Sequence, residues 1–258
     1  MKFSKAHAVV IAERKHGDSD KYIVLYSREY GRLQCFARGV KKLKSKFRSR
    51  FELLTCGIFD LVRSSNRDYH IITGVSSQEA FFSIRTERSK MLSAMLATEV
   101  MDKMTVPDDR DERLFMLYYR FLRALDAGRG AEDALCALFL LKFSHISGFG
   151  INTDSCPSCG AVHEGGNASA RYDHDSGGFL CRECSGKTPS GGFSAAPLLE
   201  RIKELSEIRS LDEPALRRAS GLLTFLVRYL ETKGECSIKS HDFVKNNFTI
   251  QKMERIGI

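Results

Sequence analysis

Lys21-Tyr22-Ile23-Val24-Leu25-Tyr26-Ser27 and, shortly after it, Gly31-Arg32-Leu33-Gln34-Cys35-Phe36-Ala37 carry the reading of the fold. The first is rich in β-branched and aromatic residues, and the second alternates polar and apolar residues with period two, as a half-buried strand does. Towards the N-terminus, Ala6-His7-Ala8-Val9-Val10-Ile11-Ala12 is a further β-branched run, set off by the turn-forming Gly17-Asp18-Ser19-Asp20. Towards the C-terminus come Phe51–Val62 and Tyr69–Val75, joined by the polar Ser64-Ser65-Asn66-Arg67-Asp68. Five short strands within residues 1–80 predict an OB-fold barrel, an architecture that binds oligonucleotides across one face.

Beyond residue 80 the periodicity becomes helical. Leu92, Leu96, Val100 and Met104 form one stripe, and Leu114, Tyr118, Phe121 and Leu125 another. Pro107-Asp108-Asp109 separates them and offers Asp108 or Asp109 as N-cap of the second helix. Asp133–Ile146 is apolar around most of its circumference and predicts a central buried helix. Further helices are expected over Pro197–Ile208 and Glu213–Leu230. The fold class expected is therefore α+β, with a barrel over residues 1–80, a helical domain over residues 81–258, and a metal-binding insert over residues 152–190.

The insert is defined by Cys156-Pro157-Ser158-Cys159 and Cys181-Arg182-Glu183-Cys184, with 21 residues between the inner pair. Each C-x-x-C knuckle places two thiolates on one side of a turn, and two knuckles complete a closed tetrahedral site. The expectation is one structural Zn2+ held by Cys156, Cys159, Cys181 and Cys184 in a zinc-ribbon-like module. His163 and His174 could stand in for a cysteine, but solvated loop histidines are the simpler reading. Cys35, Cys56, Cys136 and Cys236 are scattered and read as small buried hydrophobes. A redox site is disfavoured because the knuckle does not follow a βαβ pattern. A nucleobase deaminase is disfavoured because its zinc needs an open position.

The charge is uneven. The chain of 258 residues carries a formal +8, and residues 1–80 hold all of the excess, with 16 Lys and Arg against 8 acids. It concentrates in Arg38, Lys41, Lys42, Lys44, Lys46, Arg48 and Arg50, seven cations with no acid among them. Such a run is either a solvated, self-repelling loop or a phosphate-binding segment. Its place between predicted strands favours nucleic acid, with Tyr22, Tyr26, Tyr30, Phe36 and Phe47 as candidate stacking rings, about half of them expected to be core.

Phosphate-cradling and acyl-transfer machinery has no warrant here, since G-x-x-x-x-G-K-[ST], G-x-G-x-x-G and G-x-S-x-G are all absent. No apolar run approaches the ~18 residues that cross a bilayer, so no membrane role and a cytoplasmic, nucleoid-associated location are expected.

Gly17-Asp18-Ser19-Asp20, the strand after it, Gly31-Arg32-Leu33 and Ala37-Arg38-Gly39-Val40-Lys41-Lys42 together resemble the opening of the bacterial RecO recombination mediators. Leu140-Leu141-Lys142-Phe143-Ser144-His145-Ile146-Ser147-Gly148-Phe149-Gly150, leading into Cys156-Pro157-Ser158-Cys159-Gly160, resembles that family's helix end and zinc knuckle. The resemblance implies a non-enzymatic DNA repair and recombination protein that binds single- and double-stranded DNA and anneals complementary strands. It also implies contact with the single-strand-binding protein, and action with RecR in loading the RecA recombinase at gaps. The competing reading is a zinc-ribbon protein-interaction adaptor with a solvated basic loop and no DNA role.

Overall fold

The β-branched run at Ala6–Ala12 extends at both ends into strand β1 (Lys2–His16). Its length lets one strand serve two neighbours. Residues Lys2 to Val9 pair with β4 (Cys56–Arg63), and Ala8 to His16 pair with β2 (Asp20–Ser27). A register shift between Val10 and Ala12 marks a bulge, the device that bends a strand round a barrel corner. With β3 (Gly31–Ala37) and β5 (His70–Glu79) the sheet closes in the order β1-β2-β3-β5-β4. Every pairing is antiparallel except β3 with β5, where Cys35 faces His70 and Phe36 faces Ile71 in parallel. This is the expected OB-like barrel. In the computed structural model the described residues are 2–40, 51–63, 69–128, 131–163, 172–173, 175–186 and 222–242, with five isolated positions between 201 and 219.

Alternation fills the barrel. Ala6, Ala8 and Val10 of β1 turn inward with Ile23, Leu25, Leu33, Cys35, Phe59, Leu61 and Ile72 from the other strands. The alanines leave room for Phe51 and Phe59, whose ring centroids lie 6.2 Å apart. The strand expected from Phe51 begins only at Cys56. Leu54 has φ 66, its N–H donates to the Val10 carbonyl, and the Thr55 carbonyl accepts from Val10, so a turn plugs the ladder at the β1 bulge. The apolar run arises because this turn, like a strand, sends Phe51 and Leu54 into the core.

Helices α1 (Phe82–Thr86), α2 (Arg88–Met104) and α3 (Glu112–Asp126) follow. The N-cap of α3 is Asp111, whose carboxylate accepts from the Arg113 and Leu114 N–H groups, and not Asp108 or Asp109. Asp108 and Asp109 are displaced from that role because their loop docks on β3. The Asp108 N–H donates to the Arg32 carbonyl at 3.0 Å, and Arg32 Nε donates to the Thr105 carbonyl at 3.0 Å. Gly31 makes this docking possible, since a Cβ there would lie 1.8 Å from the Asp109 carbonyl oxygen. Tyr118 of α3, fully buried, shares a 2.7 Å hydrogen bond with Thr98 of α2. Near the end of the chain Glu99 of α2 accepts from the Lys239 and Ser240 N–H groups.

Packing divides the chain into Met1–Arg129 with Ile238–Ile258, and Gly130–Ser237. The division falls at Gly130, while the change of periodicity falls near residue 81. In the second unit α4 (Glu132–Ile146) is buried round almost its whole circumference, from Ala134 through Phe143, and packs on α5 (Leu223–Lys233). Two two-residue strands, β6 (Tyr172–Asp173) and β7 (Gly178–Phe179), form a hairpin between them in sequence. The helix expected over Pro197–Ile208 lies mostly outside the described residues, and the one expected from Glu213 is described as a continuous helix only from Leu223.

Candidate metal centre and nucleic-acid face

Both knuckles are backbone turns that aim sulfur inward. The Gly160 N–H closes the first on the Cys156 carbonyl at 2.8 Å, and the Ser185 N–H closes the second on the Cys181 carbonyl at 2.9 Å. The Cys184 N–H also points at Cys181 Sγ, 3.4 Å away. The sulfurs of Cys156, Cys159, Cys181 and Cys184 all lie within 4.8 Å of one another, with Cys159 and Cys181 3.6 Å apart. Four sulfurs placed tetrahedrally at a Zn–S distance of about 2.3 Å would stand roughly 3.8 Å apart, so the quartet fits a zinc ion.

Its electrostatics fit as well. Burial works to raise the Cys156 thiol, but the N–H groups of Cys181, Cys159 and Ser158 outweigh it and lower the pKa to about 6. Cys159 and Cys184 end up raised although their strongest partners, the Ala161 N–H and Ser158, favour the thiolate, because neighbouring sulfurs oppose a second charge. A dication removes that conflict. His163 is no solvated loop residue: it is buried, and its Nε2 lies 2.8 Å from the Phe179 carbonyl. His174 lies outside the described residues. In the hairpin Tyr172 meets Phe179, and across to α5 it meets Phe225 and Tyr229, all at 5.0–5.7 Å between centroids.

Cys35, Cys56 and Cys136 are buried, and burial raises all three thiols, Cys56 to about 12. Cys236 is only half-buried, just past the turn that follows α5.

On the barrel, Lys41, Lys42, Lys44, Lys46, Arg48, Arg50 and Phe47 lie outside the described residues. Arg38 is exposed in the turn that opens the run. That turn is held by Asp20, whose carboxylate accepts the Gly39 N–H at 2.8 Å. The same hydrogen bond is the main cause of the lowered Asp20 pKa. Of the candidate rings, Tyr26 is core and Tyr30 stands elsewhere, on the β2–β3 turn, while Tyr22 and Phe36 face each other across β2 and β3. Their centroids are 5.1 Å apart, and two rings assigned no role in the sequence join them. His16 lies 4.9 Å from Tyr22, and Tyr69 lies 5.6 Å from Phe36. The four rings form one cluster on the outward side of β2 and β3, with Phe36 buried, Tyr22 and Tyr69 half-buried and His16 exposed. Arg14 and Lys15 of β1 are exposed beside His16 in sequence.

The family model "Recombination protein O N terminal" matches residues 1–81, and "Recombination protein O C terminal" matches residues 85–241. The chain belongs to the RecO family. Among its curated RecO relatives, the "DNA repair protein RecO" of Rubrobacter xylanophilus is 30% identical over 84% of this chain and 89% of its own. The protein of the same description from Myxococcus xanthus is 28% identical over 92% and 95%, and that from Halalkalibacterium halodurans 27% over 94% of both. The residues that carried the RecO resemblance now have structural reasons: Asp20 ties down the basic turn, and Gly31 admits the Asp108–Asp109 loop. Among the described residues no helix is long and apolar enough to cross a membrane.

Sequence reasoning missed His16 and Tyr69. Tyr69 had a usable signal, being next to the first residue of β5. His16 had none, because its partners lie on other strands.

Proposed function

We propose that this chain is a non-enzymatic mediator of recombination in DNA repair, binding single- and double-stranded DNA through the barrel, residues 1–80. The observation that carries the reading is the group of His16, Tyr22 and Tyr69 on the barrel surface, gathered round the buried Phe36 near the exposed turn that opens the basic run. Rings stack on any base, and Arg38, Lys41, Lys42, Lys44, Lys46, Arg48 and Arg50 supply phosphate contacts. Contacts to ring faces and phosphates leave the Watson–Crick edges of the stacked bases free, which strand annealing requires. No residue is assigned a catalytic role.

Residues 81–258 serve as the platform for the single-strand-binding protein and RecR, in loading RecA at gaps. Their formal charge is balanced, so their overall field does not compete for phosphates. One zinc held by Cys156, Cys159, Cys181 and Cys184 is structural, since four protein ligands leave no position for substrate. The site of action is the cytoplasm, at the nucleoid.

A titration of single- and double-stranded DNA at several salt concentrations tests the reading. Replacing Lys41, Lys42, Lys44 and Lys46 together by Ala should flatten the slope of log affinity against log salt by about three, at roughly 0.7–0.9 per phosphate contact. Unchanged affinity and slope would leave the protein-interaction adaptor as the better reading.

A further inference from the structure

A cleft of about 220 Å³ with mixed polar and apolar walls opens at the mouth of the barrel and shares no lining residue with the four-ring cluster. Its walls continue the inward rows of the core. Ser4 stands two residues before Ala6, Arg63 two after Leu61, His70 two before Ile72, and Leu33 is itself core. Positions that would be apolar in a closed core are here a hydroxyl, a guanidinium and an imidazole. Burial lowers the His70 pKa, Arg63 lowers it further, and Asp108 and the Gln34 backbone oppose the shift, so His70 is neutral at neutral pH.

The rim comes from two turns. Tyr30, 39% exposed, is set by its own N–H donating to Ser27 Oγ. Asp108 and Arg110 come from the loop docked on β3, and Asp108 holds a left-handed φ of 57. Strain of that kind persists only where surroundings enforce it. Glu29, also on the rim, is already engaged by the His7 N–H at 2.9 Å. The side chains of Arg63 and Asp108 make no hydrogen bond or ion pair among the described residues.

The mixture selects a ligand class. A bare phosphate or a peptide carboxylate would suit Arg63 and Arg110 but meet Asp108 as a like charge. A guanidinium fork matches O6 and N7 of guanine, and a carboxylate accepts from its N1–H and N2–H2. From this lining we infer that the barrel mouth takes one unstacked guanine nucleotide of a single strand, read by Arg63 and Asp108 against the Tyr30 ring, with Arg110 towards its phosphate. The inference rests on the DNA-binding reading above and adds to it a base preference, which stacking alone does not provide.

The test uses the full chain and fluorescence anisotropy with three single strands: oligo(dT), the same strand with isolated dG residues, and the same strand with dA at those positions. The dG strand should bind about fivefold more tightly than either of the others, the low end for a bidentate base contact. Arg63→Gln and Asp108→Asn should each abolish that difference while still binding oligo(dT). Asn tolerates the left-handed conformation, so the rim loop is kept. Equal affinities for the three strands in the unaltered protein, or a dG preference that survives both substitutions, overturns the guanine site and leaves DNA binding standing. Failure to bind any strand overturns both.

Discussion

The barrel and the cysteine module solve the same problem, holding a short stretch of chain in one shape, with opposite means. In the barrel five strands of seven to fifteen residues share a continuous ladder, and their inward side chains make one core. In the module the described strands have two residues each. Four sulfurs and a group of rings around Tyr172 take the place of a core. Where apolar residues are too few to repay the entropy of ordering a loop, a sulfur quartet able to hold a metal and an aromatic anchor can supply the difference. Damage should therefore stay local in the module and spread through the barrel.

The largest effect tests the module. Cys181→Ser leaves three thiolates and should lose stoichiometric zinc, measured by metal analysis under reducing conditions. Zinc in isolated finger peptides is worth an apparent ~10–16 kcal/mol, and here the loss should appear as local hydrogen exchange around Tyr172 and Phe179. The far-ultraviolet circular dichroism of α4 and α5 should remain. Global unfolding of the chain on metal removal would erase the contrast between the two regions.

Next comes the barrel core. Phe59 is fully buried against Phe51, and Phe59→Ala should cost ~3–5 kcal/mol in denaturant melts, with zinc content unchanged. A loss below about 1 kcal/mol would mean that the barrel also bends locally, as the module does.

The barrel surface should behave differently from its interior. Tyr22→Ala with Tyr69→Ala should weaken single-strand binding by ~1–3 kcal/mol per lost stack, while the salt slope stays as it was. A drop in slope equal to that of the lysine variant would show that these rings support the basic loop and do not stack on bases.

The smallest effect concerns Glu99, which holds the segment at Lys239 and Ser240. Burial pushes its pKa up, but Lys103, the Ser240 hydroxyl and the two backbone N–H groups outweigh it, so the folded value lies below the ordinary 4.5. Stability from this carboxylate is therefore full above about pH 4.5 and is lost as pH falls through the folded value. Glu99→Gln should remove about 1 kcal/mol at neutral pH and flatten the acid limb of a pH–stability curve. Identical curves for the two proteins would show that Glu99 does not hold the segment.

Much of the fold was legible because it is written in periodicity. Alternation at Gly31–Ala37 and the all-round apolarity of Asp133–Ile146 are local patterns, and strand β3 and helix α4 follow them closely. The knuckles were legible for a similar reason: two cysteines three positions apart on a turn converge by local geometry alone. The turn at Phe51–Thr55 was not legible, because an inward apolar side chain looks the same on a turn as on a strand. Asp111 was missed as a cap because the docking of Asp108 on Arg32 joins residues far apart in sequence.

The sequence by itself therefore determined most of the barrel's strands, the buried helix, the two cysteine knuckles and the placing of the charge. Each depends on residues within a few positions of one another, where 3.6 or 2 residues per repeat settles which side chains share a face. Only the tertiary structure decided that His16, Tyr22, Phe36 and Tyr69 meet, and that Ser4, Arg63, His70 and Asp108 ring one cleft. Those groupings depend on barrel closure, the parallel pairing of β3 with β5 and the docking of a loop on Gly31. Each is a long-range contact, selected by the packing of the whole unit and by no local preference of the residues it brings together.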